Sequence, residues 1–310
     1  MASNQLFIFV FVCSCLLGSA VHSLFVDVKL RLYSKDLSYV EVKAKDAALL
    51  VPKLNLSTKT IIHCHGYTQS ADDSAVMDLI HNYLAGFDYN IIAADYREVT
   101  SNDYLSAVVL LDKVSDIIAQ SVDTFIASGV NPKLIILSGL SLGGQVAGQI
   151  GRKTKTKIEE IIAMDPAGPL YQYVGQSVSA TDANCVKCIH TDAGYYGTTH
   201  ACGHLDFYPN GGTRQQPGCS AFSLNVLTDL PNTCSHERAE VYIGESARNP
   251  DGFLSIKCNS WDDFKAGKCD KSVIIPMGEA APCNVTGSFY LQTNSKSPYA
   301  KGAAGTVYSG

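Results

Sequence analysis

Residues 134–148 read LIILSGLSLGGQVAG: an apolar run passes straight into a serine flanked by Gly139 and Gly143, and small residues continue behind it. The apolar run suits a buried strand, and Leu142 to about Gly151 suits a helix. A chain that goes from strand to helix through one pentapeptide tolerates only small neighbours at the turn. The G-x-S-x-G match alone decides little, since on the order of one chain in ten of this length would carry it by chance. Its surroundings decide more.

Those surroundings alternate strand and helix. LFVDVKLRLY (24–33) alternates apolar and polar residues as a half-buried strand does. KTIIHCHG (59–66) and YNIIAADY (89–96) read as buried strands. Between them Val76, Met77, Ile80, Tyr83 and Leu84 recur at helical spacing, with Gly86 as the expected stop. From Asn102 to Ala127, apolar residues from Tyr104 to Phe125 fall three or four apart, a long amphipathic helix closed by Gly129 and Pro132. Ile158–Met164 supplies another strand. The alternation predicts an α/β fold, a mostly parallel sheet with right-handed crossovers and helices on both faces. No repeat, low-complexity tract or linker interrupts it, so residues 24–310 are expected to form a single domain.

The first residues are of another kind. Leu6–Leu17 is almost wholly apolar, too short to cross a bilayer but suited to the core of a secretory signal. Small residues at Gly18, Ser19 and Ala20 place cleavage after Ala20 or Ser23, although no Lys or Arg precedes the apolar run. A secreted, extracellular chain without a transmembrane segment is expected, its signal occupying residues 1–23. Of eleven cysteines, Cys13 and Cys15 leave with the signal. The odd remainder in an oxidising compartment predicts several disulfides and at least one free thiol. Sequons at Asn55 and Asn284 fit export as glycosylation sites. A formal charge of −5 and the lack of a basic cluster argue against nucleic acid and against a polybasic membrane footing.

With strand before it and helix after it, Ser141 occupies a nucleophile elbow, whose turn aims the hydroxyl above the sheet. A hydroxyl is a poor nucleophile at neutral pH and needs a base and an orienting acid. In this fold they follow in the order serine, acid, histidine. IIAMDPAGP places Asp165 at the carboxyl end of the next strand. An isolated Asp-Pro is ordinarily a turn cap, but that position favours the acid. His63 and His65 precede the serine, which is the wrong order. His190, His200, His204 and His236 remain, and His236 is preferred because it follows Cys234 and opens a new periodic segment.

The chain resembles the catalytic domain of the pancreatic lipase family in its secreted arthropod branch. The resemblance rests on HGYT, GLSLGGQVAG, DPAGP, IHTDAG, GHLDFYPNGG, QPGC and CSHERA in family order, followed by CNSWDDFKAGKC and GSFYLQTNSKSPY. It covers about residues 25–302 and implies an α/β-hydrolase fold in which Ser141 is nucleophile, Asp165 acid and His236 base. The backbone N–H groups of Tyr67 and Leu142 would form the oxyanion hole. Leu140 and Gln145 stand where the family usually has histidines. The family's C-terminal β-sandwich is not expected here, nor is colipase as a partner, and the chemistry needs neither metal nor cofactor. Cys258 and Cys269 resemble a family bridge. Cys219 and Cys234 bracket the fourteen residues before the histidine, and Cys188 and Cys202 flank a glycine- and tyrosine-rich hairpin; both are expected pairs. Cys64, Cys185 and Cys283 stay unassigned. A redox or zinc reading of Cys185-x-x-Cys188, or a metal at His200, Cys202 and His204, is disfavoured because no second C-x-x-C accompanies the first.

The expected activity is fatty-acid release from lipid esters at a membrane, micelle or droplet interface. In the family, short lid and neighbouring loops accompany phospholipase A1 activity, and long ones accompany triacylglycerol lipases. Here the bracketed lid is 220–233, with Phe222, Val226 and Leu230 every four residues, and the neighbouring loop is only 193–202. Phospholipase A1-type action is therefore the first expectation and triacylglycerol hydrolysis the second. A non-catalytic lipid-binding or yolk-type protein would be favoured by a broken triad, and a soluble-ester hydrolase by a polar lid.

Overall fold

The computed structural model describes residues 26–171, 177–220 and 232–310. The leader and the apolar face of the lid at 222, 226 and 230 lie outside the described residues.

Among the described residues the strands join one eleven-stranded sheet. In chain order they are β1 (Lys29–Tyr33), β2 (Tyr39–Lys43), β3 (Thr60–Cys64), β4 (Asn90–Asp95), β5 (Ile135–Leu140), β6 (Glu160–Met164), β7 (Cys185–Ile189), β8 (Leu205–Pro209), β9 (Leu254–Lys257), β10 (Asp270–Pro276) and β11 (Gly287–Leu291). They lie across the sheet as β10-β9-β11-β8-β7-β6-β5-β3-β4-β1-β2. From β4 through β3, β5, β6, β7 and β8 to β11 every pairing is parallel, and only the strands at the two margins run antiparallel. The fold is that of an α/β hydrolase. Strands β3 to β7 are buried at every residue, as parallel strands covered on both faces must be.

Among the described residues two long helices pack on each face. On one side lie α2 (Tyr104–Ala127) and α3 (Leu142–Lys153), which pack Val114, Ile118, Val146 and Ile150 onto Ile62, Leu137 and Ala163. On the other lie α1 (Ser74–Gly86) and α4 (Cys234–Arg248), with Val76, Ile80, Tyr242 and Ile243 against Ile61, Ile136 and Ile162. Asp73 caps α1 by accepting from the Ala75 N–H, and Asp103 caps α2 through Ser106. No helix among the described residues is long and apolar enough to cross a membrane.

One local expectation is corrected. The alternation in residues 24–33 implies a half-exposed strand, yet Arg31 is 6% exposed. Its guanidinium meets Glu41, Asp72 and Asp95, so a polar position in the pattern is filled by a buried, fully partnered charge. Gly86 ends its helix as expected, as the last residue of α1. A Cβ there would stand 2.1 Å from the Ala247 carbonyl oxygen, so the glycine serves the close crossing of α1 and α4.

The cysteines form Cys188–Cys202, Cys219–Cys234, Cys258–Cys269 and Cys185–Cys283, a pair the sequence left open. The two thiols of C-x-x-C thus enter different bridges. Cys64 is free and buried, and burial pushes its thiol up to about 12. Asn55 and Asn284 are exposed.

Candidate active site

Ser141 sits between β5 and α3 with φ 57° and ψ −119°, a backbone conformation that costs free energy for any residue but glycine. The surroundings fix it. Its N–H donates to the Met164 carbonyl at 2.9 Å, and its carbonyl accepts from Ala167 at 3.1 Å and Gln145 at 3.3 Å. A Cβ on Gly139 would stand 2.3 Å from the Gly143 carbonyl, and one on Gly143 would stand 2.0 Å from the Cys64 carbonyl. The pentapeptide needs its glycines because β3, β5 and α3 converge there without room for a methyl group.

Asp165 directly follows β6, one strand away, with φ 39° and its own N–H donating to the Ile189 carbonyl of β7 at 2.7 Å. Its carboxylate is inaccessible to solvent. Oδ1 accepts the backbone N–H of Thr191 at 2.8 Å and of Asp192 at 3.1 Å, which leaves Oδ2 for His236 Nδ1 at 2.5 Å. His236 lies in the first turn of α4 and is buried. Burial lowers its pKa, but the hydrogen bond to Asp165 and the charges of Asp165, Asp192 and Glu237 outweigh that, and the imidazole is raised above its ordinary value. A carboxylate fixed by two N–H donors and presented to Nδ1 is the arrangement that orients an imidazole for proton transfer at Nε2.

Ser141 and His236 border one cavity of about 420 Å³, within the range usual for small-molecule sites. Tyr67, Tyr104, Leu140, Pro169 and Tyr196 line much of the rest. Tyr67 meets Tyr104 edge to face at 5.2 Å, and each hydroxyl donates to a backbone carbonyl, those of Asn102 and Pro169. The apolar ring faces are thus left to the cavity. Tyr67 belongs to the loop after β3, whose Gly66 packs closely: a Cβ there would lie 2.9 Å from Gln69 Oε1 and 3.3 Å from the Leu140 carbonyl oxygen. The Gln69 side chain accepts from Gly66 N–H at 2.7 Å, and Thr100 bonds the Gln69 carbonyl. Leu142 opens α3, where the first N–H groups have no partner within the helix.

The other three candidate histidines stand apart from Asp165. His190 Nε2 meets Asp206 at 2.8 Å beneath the Tyr208 ring, His204 Nδ1 accepts the Val186 N–H, and His200 is exposed. Asp192 and Arg214 were not singled out from the sequence. Arg214 holds Asp192 through two hydrogen bonds of 2.6 and 2.5 Å and lies over the Tyr195 and Tyr196 rings. Burial raises the Asp192 pKa, Arg214 opposes it, and nearby Asp165 adds to the rise. Oxygens of Asp165 and Asp192 and a nitrogen of His236 lie within 4.8 Å of one another, but backbone N–H groups and Arg214 already use that charge. The only local signal for Asp192 was its place in IHTDAG.

Residues 19–299 match the family described as Lipase. The chain belongs to the lipase family. It is 31% identical to the pancreatic triacylglycerol lipase of Sus scrofa, over 79% of this chain and 58% of that protein. It is 33% identical to lipase member H-B of Xenopus laevis, over 70% of this chain and 47% of that protein. This lipase-family chain therefore spans only about half the length of these relatives. At its Gln145, where the resemblance implied a histidine, Nε2 donates to the Ala167 carbonyl at 2.6 Å and Oε1 accepts from Val178 at 2.8 Å. The substitution ties α3 to the loop that follows Asp165.

Proposed function

We propose that the chain is a secreted serine ester hydrolase that releases fatty acid from lipid esters, with phospholipase A1-type preference. The observation that carries the reading is Asp165 Oδ2 at 2.5 Å from His236 Nδ1, with His236 and the strained Ser141 on one wall of a largely apolar cavity. His236 takes the Ser141 proton as the hydroxyl attacks the ester carbonyl, and Asp165 stabilises the imidazolium that forms. The N–H groups of Tyr67 and Leu142 receive the developing oxyanion. The imidazolium then protonates the leaving alcohol, and water attacks the acyl-enzyme through the same base to release the fatty acid.

The preference for phospholipid is supported by the short loop at 193–202. It folds back on itself through Gly194 N–H to the Gly197 carbonyl at 3.0 Å and is tied down by Cys188–Cys202. A low rim leaves a polar head group beside water, whereas a three-chain substrate gains no apolar wall from it. Export with removal of residues 1–23, and a single catalytic unit over 24–310, belong to the same reading.

Purified protein offered phosphatidylcholine, triolein and a short-chain ester side by side tests it. Ser141→Ala must abolish turnover and fluorophosphonate labelling while leaving a folded protein. Faster fatty-acid release from triolein than from phosphatidylcholine, under matched surface conditions, makes the chain a triacylglycerol lipase instead.

A further inference from the structure

Beneath the site, on the sheet face covered by α1 and α4, the apolar core is broken by a compact polar cluster. His63 of β3 and Ser138 of β5 are register partners, both fully buried, and His63 Nδ1 lies 3.1 Å from Ser138 Oγ. Glu240 of α4, 2% exposed, brings Oε1 to 3.3 Å from His63 Nε2. Among the described residues neither oxygen of that carboxylate makes a regular hydrogen bond, and His63 is the titratable partner it meets. Tyr83 of α1 adds a further buried hydroxyl, which makes no regular hydrogen bond among the described residues.

Each member sits a few residues from a part of the site. His63 precedes Tyr67 by four residues, Ser138 precedes Ser141 by three, and Glu240 follows His236 by four, one turn along the same helix. Burying a carboxylate among apolar side chains is costly, and apolar residues of similar volume commonly serve stability as well or better. Stability alone therefore gives no reason for the pair. Apolar packing is also non-directional and leaves a helix free to slide or turn by small amounts on a sheet. One polar contact between helix and strand fixes a point.

We infer that His63 and Glu240 are positioning residues: their contact pins α4 to β3 and thereby sets the His236 imidazole opposite Ser141. The inference rests on reading Ser141 and His236 as the reacting pair. It requires that the pair be needed for rate in protein that has folded.

The double variant His63→Leu/Glu240→Met separates the two. The variants would be titrated with a fluorophosphonate, so that kcat is expressed per competent serine, on a soluble short-chain ester. The expected result is a urea midpoint equal to or above that of the wild type, with kcat at least tenfold lower and KM within twofold. Glu240→Gln, which keeps a polar partner for His63, should retain kcat within about threefold, whereas Glu240→Leu should lose at least tenfold per titrated site. If the double variant does not fold, the two single variants decide by the same criterion. Wild-type kcat in a stable double variant, or equal kcat in Glu240→Gln and Glu240→Leu, overturns the inference. Turnover that survives Ser141→Ala would instead overturn the catalytic reading beneath it.

Discussion

Gly197 gives the Asp165 carboxylate its space: a Cβ built on the glycine would stand 2.4 Å from Oδ1 and 2.6 Å from Oδ2. Gly197 lies outside the left-handed region, so a methyl group there is a matter of room alone. Gly197→Ala must push the carboxylate from His236 Nδ1 or move the loop that holds Thr191 and Asp192. A misplacement of about 1 Å at a reacting geometry can cost about a hundredfold. The expected outcome is kcat lowered by about one to two orders of magnitude, with a cooperative urea transition retained. Undiminished kcat in a folded variant would show that the acid does not depend on this gap.

The raised pKa of His236 sets a pH dependence with a definite sign. In the proposed mechanism His236 must be neutral to accept the Ser141 proton, so kcat/KM should rise with pH through an inflection above the ordinary histidine value of about 6.5. The stability linked to the group runs the other way. It is fully present below the unfolded pKa and is lost as pH rises through the folded one. Because the Asp192 charge contributes to the rise, Asp192→Asn should move the acid limb of kcat/KM to lower pH. An unmoved or upward-moved limb on a soluble ester would rule out that electrostatic role.

The four bridges should not contribute equally. Cys185–Cys283 spans 98 positions and Cys219–Cys234 spans 15. In the chain-entropy model these loops correspond to about 5 and about 3 kcal/mol. Paired serine substitutions measured by urea unfolding should therefore rank the long bridge as the costlier to remove. The opposite order would mean that contacts around the short loop, and not chain entropy, dominate.

What the sequence made legible is what neighbours in the chain encode. The strand–turn–helix about Ser141 is written in adjacent residues, and so are the helices that observation places at 74–86 and 104–127. Asp165 and His236 stand 71 positions apart, and only motif order suggested that they meet. Asp192 with Arg214, Cys185 with Cys283 and His63 with Glu240 leave no local trace, because each pair is made by the topology that lays distant strands and helices side by side. Arg31 misleads for the same reason: its partners at 41, 72 and 95 come from other elements, and alternation reports only its polarity.

The surface beside the cavity carries the last prediction. Tyr104 lines the cavity at the start of α2, and Leu105 and Val109 follow it one turn apart with 61% and 67% of their surface exposed. On a helix these two side chains share a face, so they form an apolar step next to the cavity. A lipid surface would bury them, and complete burial of such a side chain contributes about 1.5–3 kcal/mol. Half of that for the pair corresponds to roughly a tenfold or greater change in the enzyme's partition to vesicles. Leu105→Glu/Val109→Glu should thus lower fatty-acid release from phosphatidylcholine vesicles by about tenfold or more, leave a soluble short-chain ester within twofold, and weaken vesicle sedimentation in parallel. Equal losses on both substrates would mean that the substitutions damage the site itself. Unchanged vesicle binding would mean that the lipid is met by another face.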